Sequence, residues 1–227
     1  MNSFQAWSEV YKKYNDQKEG FLWPNETLIR LMKGNYIQKF NKDYNRKKIL
    51  DIGFGNGNNL LFFNTLGLEL YGTEVQEDIC KLVKEKLKNL GIETNLSVGT
   101  NRNLPYQENY FDYIASWNVI HYENNEEDII KAIKEYHRVL KPGGRFFIST
   151  TGPEHLIKRD SKYLGNNRYL IGKKDDFRKG EIFFYFDTEE NIKYYFSQFF
   201  KDISIGRTYD LLMSEKLDSF IISGIKE

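Results

Sequence analysis

The chain has 227 residues, a length that fits one domain, or one domain with a cap. Apolar residues make up 40% and aromatic residues 16%, enough for a real core and against a disordered chain. The net charge of +1 excludes the global basic field that nucleic-acid binders usually carry, although a local patch stays open. Residues 1–47 read as helical segments broken around Gly20-Phe21-Leu22-Trp23-Pro24. From residue 48, strands and helices alternate. Lys48–Ile52 reads as a first strand and Asn58–Leu66 as a helix. Leu68–Glu74 reads as a second strand. Gln76–Leu90 carries Ile79, Leu82, Val83, Leu87 and Leu90 on one stripe, and Gly91 ends it. Ile92–Val98 and Phe111–Trp117 read as the third and fourth strands. Asn125–Leu140 is an amphipathic helix that Pro142-Gly143-Gly144 stops, and Arg145–Thr150 is a fifth strand. Such alternation implies an α/β fold, a parallel sheet with helices on both faces.

The remainder has another character. Gly152 to Glu181 is polar, rich in Gly, Lys, Arg and Asn, and weakly periodic. Thr188–Phe199 reads as a helix capped by Asp187 or Thr188, and Asp202–Thr208 and Ser219–Lys226 read as two more strands. The expected division is a single domain: a helical cover over 1–47, a core over 48–151, a lid-like insertion over 152–186, and a helix with a strand pair over 187–227. The one cysteine, Cys80, cannot form an internal disulfide, which points to a reducing compartment. Met1–Gln17 has no apolar signal-peptide core, and no apolar run approaches the roughly 18 residues of a membrane span. A cytoplasmic protein without membrane attachment is expected. Three scattered histidines and one cysteine give no metal-ligand cluster, so no metal is expected.

Ile49-Leu50-Asp51-Ile52-Gly53-Phe54-Gly55-Asn56-Gly57 carries the most chemistry. Glycines at this density after a strand let backbone N–H groups approach a ligand closely and face its negative end. The dinucleotide fingerprint Gly-x-Gly-x-x-Gly is not met, because Asn58 and Leu60 stand where its last glycine would fall. The Asp-x-Gly-x-Gly-x-Gly rhythm resembles instead the first motif of class I S-adenosylmethionine (SAM) methyltransferases. Phe111–His121 is similar to that family's fourth-strand signature. Leu104-Pro105-Tyr106 resembles its approach to that strand, and Leu140-Lys141-Pro142-Gly143-Gly144 resembles the element before the fifth. The matching segments span about residues 48 to 151 in the same order and spacing. The resemblance implies a Rossmann-like seven-stranded, mostly parallel sheet whose last strand runs antiparallel, with SAM as cofactor and S-adenosylhomocysteine as product.

It also implies roles. Gly53, Phe54, Gly55 and Gly57 would surround the methionine and ribose of SAM, with Asp51 accepting from its ammonium or orienting the loop. Glu74, ending the second strand, would accept from both ribose hydroxyls, and Val75 would lie on adenine or pack in the core. The family often shows Gly-Asp-Ala after the third strand. Here Gly99-Thr100-Asn101-Arg102 lacks the carboxylate, leaving Thr100 or Asn101 to accept from the adenine amino group. Ser116 and Trp117 end the fourth strand, where the methionine end of SAM would lie.

His121 is the candidate general base, since a neutral imidazole with a pKa near 6.5 can take a hydroxyl proton around pH 7. His155 is its rival. Tyr14, Trp23 and Arg30 are candidates for a lid over the cofactor. The basic excess of the insertion nominates Arg168 and Arg178, with Trp23 and His155, as acceptor-binding residues. With no DNA-methyltransferase signature after the fourth strand and no basic field, the expected acceptor is a small molecule rather than nucleic acid. An anionic or sugar-like metabolite methylated on oxygen is favoured. N-methylation of a small amine or protein, and a non-catalytic SAM-binding partner protein, are the alternatives. Oligomeric state is not legible.

Overall fold

The structure is a computed structural model that describes residues 3–15 and 23–227, without the side chains of residues 3, 4 and 13–15. The side chain of Tyr14 and the expected break at Gly20, Phe21 and Leu22 lie outside the described residues. Two helices, α1 (Ser3–Asn15) and α2 (Glu26–Lys33), precede the sheet. Asn25 caps α2, its side chain accepting from the Leu28 amide.

The alternating core is β1 (Lys48–Ile52), α3 (Asn58–Thr65), β2 (Glu69–Glu74), α4 (Glu77–Asn89), β3 (Asn95–Val98), β4 (Phe111–Trp117), α5 (Glu126–Val139) and β5 (Leu140–Thr151). Three short strands follow, β6 (Lys162–Gly165), β7 (Arg168–Leu170) and β8 (Ile182–Phe184). Then come α6 (Glu189–Phe196), β9 (Lys201–Leu212) and β10 (Glu215–Ile225). The seven-stranded sheet has the order β3-β2-β1-β4-β5-β10-β9. β1 pairs in parallel with both β2 and β4, and β10 runs antiparallel between β5 and β9. Chain direction across the sheet reverses between β1 and β4, the switch point outside which ligands bind in open α/β sheets.

Period-two alternation divides the sheet between two cores. Leu50, Ile52, Ile114, Phe146 and Ile148 face α5 and α6, meeting Ile129, Ile133, Tyr136 and Phe196. Ile49, Tyr113, Ala115 and Phe147 face the other way, onto Leu28 and Met32 of α2, Phe63 of α3 and Val83 and Leu87 of α4. Thr188, rather than Asp187, caps α6 by accepting from the Asn191 amide. Among the described residues no helix is long and apolar enough to cross a membrane.

Three elements differ from the sequence reading. β5 begins at Leu140, directly after α5, so Pro142-Gly143-Gly144 lies within extended backbone and marks a register irregularity against β4. Gly143 has φ +76° there and donates its amide to the Lys226 carbonyl at 2.7 Å. β9 and β10 are both longer than expected, because they form one hairpin that runs past the end of β5. The polar insertion is also structured. β6, β7 and β8 form a separate antiparallel sheet over a small core of Ile157, Ile171, Phe183 and Tyr185. Phe184 of that last strand and Phe186 just beyond it belong instead to the main core. The run Ile182–Phe186 therefore sews the insertion to the body through both faces.

Phe184→Ala should cost about 3–5 kcal/mol, as for any fully buried phenylalanine. Urea unfolding measures it; a loss below about 1 kcal/mol would show that the insertion folds independently of the core.

Candidate active site

The turn after β1 is built from left-handed backbone, with φ of +66°, +53° and +79° at Gly53, Gly55 and Gly57. Side chains rarely adopt that region, and the space around all three positions is also closed. A Cβ on Gly53 would lie 2.6 Å from a Val119 methyl, and one on Gly55 would lie 2.6 Å from the Tyr11 hydroxyl. Gly57 caps α3 and closes the turn by donating to the Phe54 carbonyl at 2.9 Å.

Two carboxylates stand beside this turn. Asp51 is 1% exposed, and its Oδ2 atom has no hydrogen-bond partner. Burial pushes its pKa well above the ordinary range, and the neighbouring Glu74 pushes it further. Glu74 ends β2. Its Oε2 accepts from the Gly55 amide at 3.2 Å and its Oε1 from the Val75 amide at 2.8 Å. Burial raises its pKa, and the two amides only partly offset that.

Above these acids lies a cavity of about 550 Å³, within the usual size of small-molecule sites. Of the residues expected at the cofactor, Gly53, Glu74, Val75, Thr100, Asn101 and Trp117 line it. Asp51 and Gly55 belong to the turn beside it. Phe54 turns into the core, against Gly72. Ser116 is fully buried, its hydroxyl 3.0 Å from that of Tyr136, which in turn donates to Asn101 Oδ1. The side-chain oxygen expected to meet adenine is thus already engaged, leaving Thr100 as the expected acceptor that lines the cavity.

The remaining candidates lie elsewhere. His121 is 2% exposed and is not part of the cavity wall. Its ring stacks on Tyr122 at 4.9 Å and packs against Phe183 and Tyr185, and Nδ1 is 3.4 Å from the Thr150 hydroxyl. Burial drives its pKa down to about 3, with His155 and Arg178 adding to the shift. His155 caps the 3-10 turn Leu156–Lys158, accepting from the Ile157 amide at 3.2 Å. It faces a second, smaller cavity of about 320 Å³. Burial, then Arg178, pull its pKa down to about 4. Arg168 lies in the insertion sheet, its Nε 3.4 Å from the Gly165 carbonyl. Arg178 forms a two-bond pair with Asp176, both contacts at 2.7 Å. Trp23 is 70% exposed and outside the cavity wall, and Arg30 pairs with Glu26 on the outer face of α2.

The sequence reading missed most of the wall. Trp7, Ser8 and Tyr11 of α1 close the cavity, and Val119, Tyr122 and Glu123 complete the side beyond β4. The first three share one helical face, a pattern visible in the sequence; what that face covers is not. Ser8 donates to Asp78 at 3.0 Å and Lys12 pairs with the same carboxylate, so α1 docks on the start of α4. Among the described residues no group of His, Cys, Asp and Glu could hold a metal ion.

A family profile described as a methyltransferase domain matches residues 49–144. The demethylmenaquinone methyltransferase of Anoxybacillus flavithermus is 31% identical over 175 residues, which cover 74% of this chain and 68% of that protein. The chain belongs to the class I SAM-dependent methyltransferases. A probable tRNA methyltransferase 9B of Mus musculus is 37% identical over 161 residues, 70% of this chain, but the match spans only 28% of that longer protein. A SAM-dependent methyltransferase structure from Methanosarcina mazei shares the fold, with a TM-score of 0.69 at 20% identity, covering 90% of this chain and 99% of that one. SAM is the cofactor of this methyltransferase family, and the residues present fit it. An orphaned buried carboxylate oxygen and a second carboxylate, with no cation between them, suit a ligand carrying an ammonium and two ribose hydroxyls.

Two outcomes follow for the methyltransferase. Glu74→Ala should weaken S-adenosylhomocysteine binding by about 2–3 kcal/mol in isothermal titration, since charge-assisted bonds are lost. Asp51→Asn should weaken it too, yet raise the melting temperature of the ligand-free protein at pH 7. Native Asp51 keeps its proton above the ordinary value of 3.8, so the native state binds more protons than the unfolded chain. Stability therefore falls as pH rises from that value through the raised one, and the amide removes this loss.

Proposed function

We propose that this chain transfers the SAM methyl group to a small acceptor with a planar, largely apolar body. The observation that carries this reading is the aromatic wall of Trp7, Tyr11, Trp117 and Tyr122, facing the same cavity as Glu74 and the glycine turn. The relative named demethylmenaquinone methyltransferase supports it, since its named substrate is a planar quinone.

When bound, SAM supplies an electrophilic methyl on a sulfonium. The chain's work is positioning. Asp51 takes the ammonium and Glu74 the ribose hydroxyls, which fixes the methyl relative to the wall of Trp117. α1 lies over the cavity and keeps water out, so that an acceptor is held in line with the methyl. No histidine lines the cavity among the described residues, so turnover rests on orientation rather than on an imidazole base.

The insertion's cations lend less support to an anionic or sugar-like acceptor than their number suggests. Lys158 pairs with Asp187 at 2.6 Å, Arg159 with Glu215 at 2.8 Å and Arg178 with Asp176. Methylation on oxygen or on carbon both suit the wall. The tRNA methyltransferase relative makes tRNA the competing acceptor.

The test is S-adenosylhomocysteine formation by the purified chain with quinols, hydroxybenzoates, sugar phosphates and bulk tRNA. Turnover is expected with the aromatic compounds; turnover with tRNA or sugar phosphates alone would overturn the reading. With an active acceptor, His121→Asn should leave the pH profile of kcat/KM unchanged between pH 6 and 8, because the native imidazole, with a pKa of about 3, is neutral throughout. A limb near pH 6.5 that vanishes in this variant would restore His121 as a base.

A further inference from the structure

Tyr122 stands on the cavity wall just after β4, in the 3-10 turn Ile120–Tyr122. Its phenol oxygen receives the indole N–H of Trp7 at 2.8 Å. The Arg178 guanidinium interacts electrostatically with the same oxygen. Indole and guanidinium groups only donate, so both face lone pairs of the phenol and leave its own hydrogen to be directed elsewhere. The ring cannot swing to follow a partner. It is held against His121 at 4.9 Å and Phe183 at 4.5 Å between centroids. Arg178 is itself fixed by Asp176, with side chains only 14% and 5% exposed. Burial raises the phenol's pKa despite Arg178 and Trp7, so Tyr122 stays protonated at neutral pH. A clamped, protonated phenol on a cavity wall is a fixed donor.

We propose that Tyr122 selects the methyl acceptor by donating a hydrogen bond to a carbonyl or hydroxyl oxygen on it, so that acceptors carrying such an oxygen on a planar body are preferred. This rests on the reading that a planar acceptor shares the cavity with SAM. Its physical basis is that a polar group built to meet a ligand oxygen is left unpaired by an analogue lacking that oxygen. Arg178 acts through Tyr122 as a positioning residue, and the ring contacts with His121 and Phe183 hold the phenol in place.

The probes are 1-indanone and indane, planar bicycles that differ in one carbonyl oxygen, titrated into the protein saturated with S-adenosylhomocysteine. The wild-type chain should bind 1-indanone about tenfold more tightly than indane, the worth of one hydrogen bond. Tyr122→Phe should erase that ratio by weakening 1-indanone alone. Trp7→Phe, which keeps the hydroxyl but loosens α1, should weaken both probes and keep the ratio. Equal affinities in the wild type, no binding of either probe, a ratio that survives in Tyr122→Phe, or a ratio lost in Trp7→Phe would each overturn the proposal. Failure of the wild-type chain to bind S-adenosylhomocysteine would overturn the methyl-transfer reading instead, so the two failures are distinguishable.

Discussion

Two carboxylates, the buried Asp51 and the partly buried Glu74, are held close together at the carboxyl ends of neighbouring strands, with no cation between them among the described residues. Burial disfavours ionisation of both, and Glu74 adds to the effect on Asp51. In the proposed function, a bound cationic SAM relieves this unfavourable electrostatic term. Much else in the core is arranged so that the term can exist. Parallel pairing of β1 with β2 and β4 sets the acids at the switch point, and the left-handed glycines bring the Gly55 amide to the Glu74 carboxylate.

The second arrangement is the closure of the cavity from two sides. α1 is tied to α4 through Ser8, Lys12 and Asp78, and to the far wall through the Trp7–Tyr122 hydrogen bond. The insertion reaches the same point: Phe177 meets the Trp7 ring edge-on at 5.0 Å, and Arg178 reaches Tyr122. Tyr122 is thus the joint where the N-terminal helix, the loop after β4 and the insertion converge. The insertion itself is anchored by Ile182–Phe186, whose alternate side chains enter two different cores. That anchoring explains how a segment so rich in charge can present a defined surface to the cavity. Lys158, Arg159 and Arg178 are each neutralised by a carboxylate at close range.

The alternation of strands and helices, the glycine turn and the acid at the end of the second strand were all legible from residue order, because each rests on local chemistry. Periodicity fixes which face of an element is apolar, and a Gly-x-Gly-x-Gly turn needs no distant partner to be recognised. Gly53, Glu74, Val75, Thr100, Asn101 and Trp117, expected at a cofactor from residue order, all line the cavity. The three strands inside 152–186 were not visible, since β6 and β7 are short and polar and gain their order from pairing rather than from pattern.

What residue types alone could not decide was which polar side chains face the ligand. His121 follows β4 in sequence, yet a single 3-10 turn carries its ring behind the wall and its neighbour Tyr122 onto it. Arg178 stood as an acceptor-binding candidate on the basic excess of the insertion, yet the structure pairs it with Asp176. Trp7 and Tyr11 join the site only because α1 docks on α4, some 70 residues further along the chain. The sequence by itself determined the family, the fold, and the glycine turn with its strand-end acid, which are written in turns and strand ends. Only the tertiary structure decided the far wall of the cavity, because that wall is assembled from three segments that no local rule brings together.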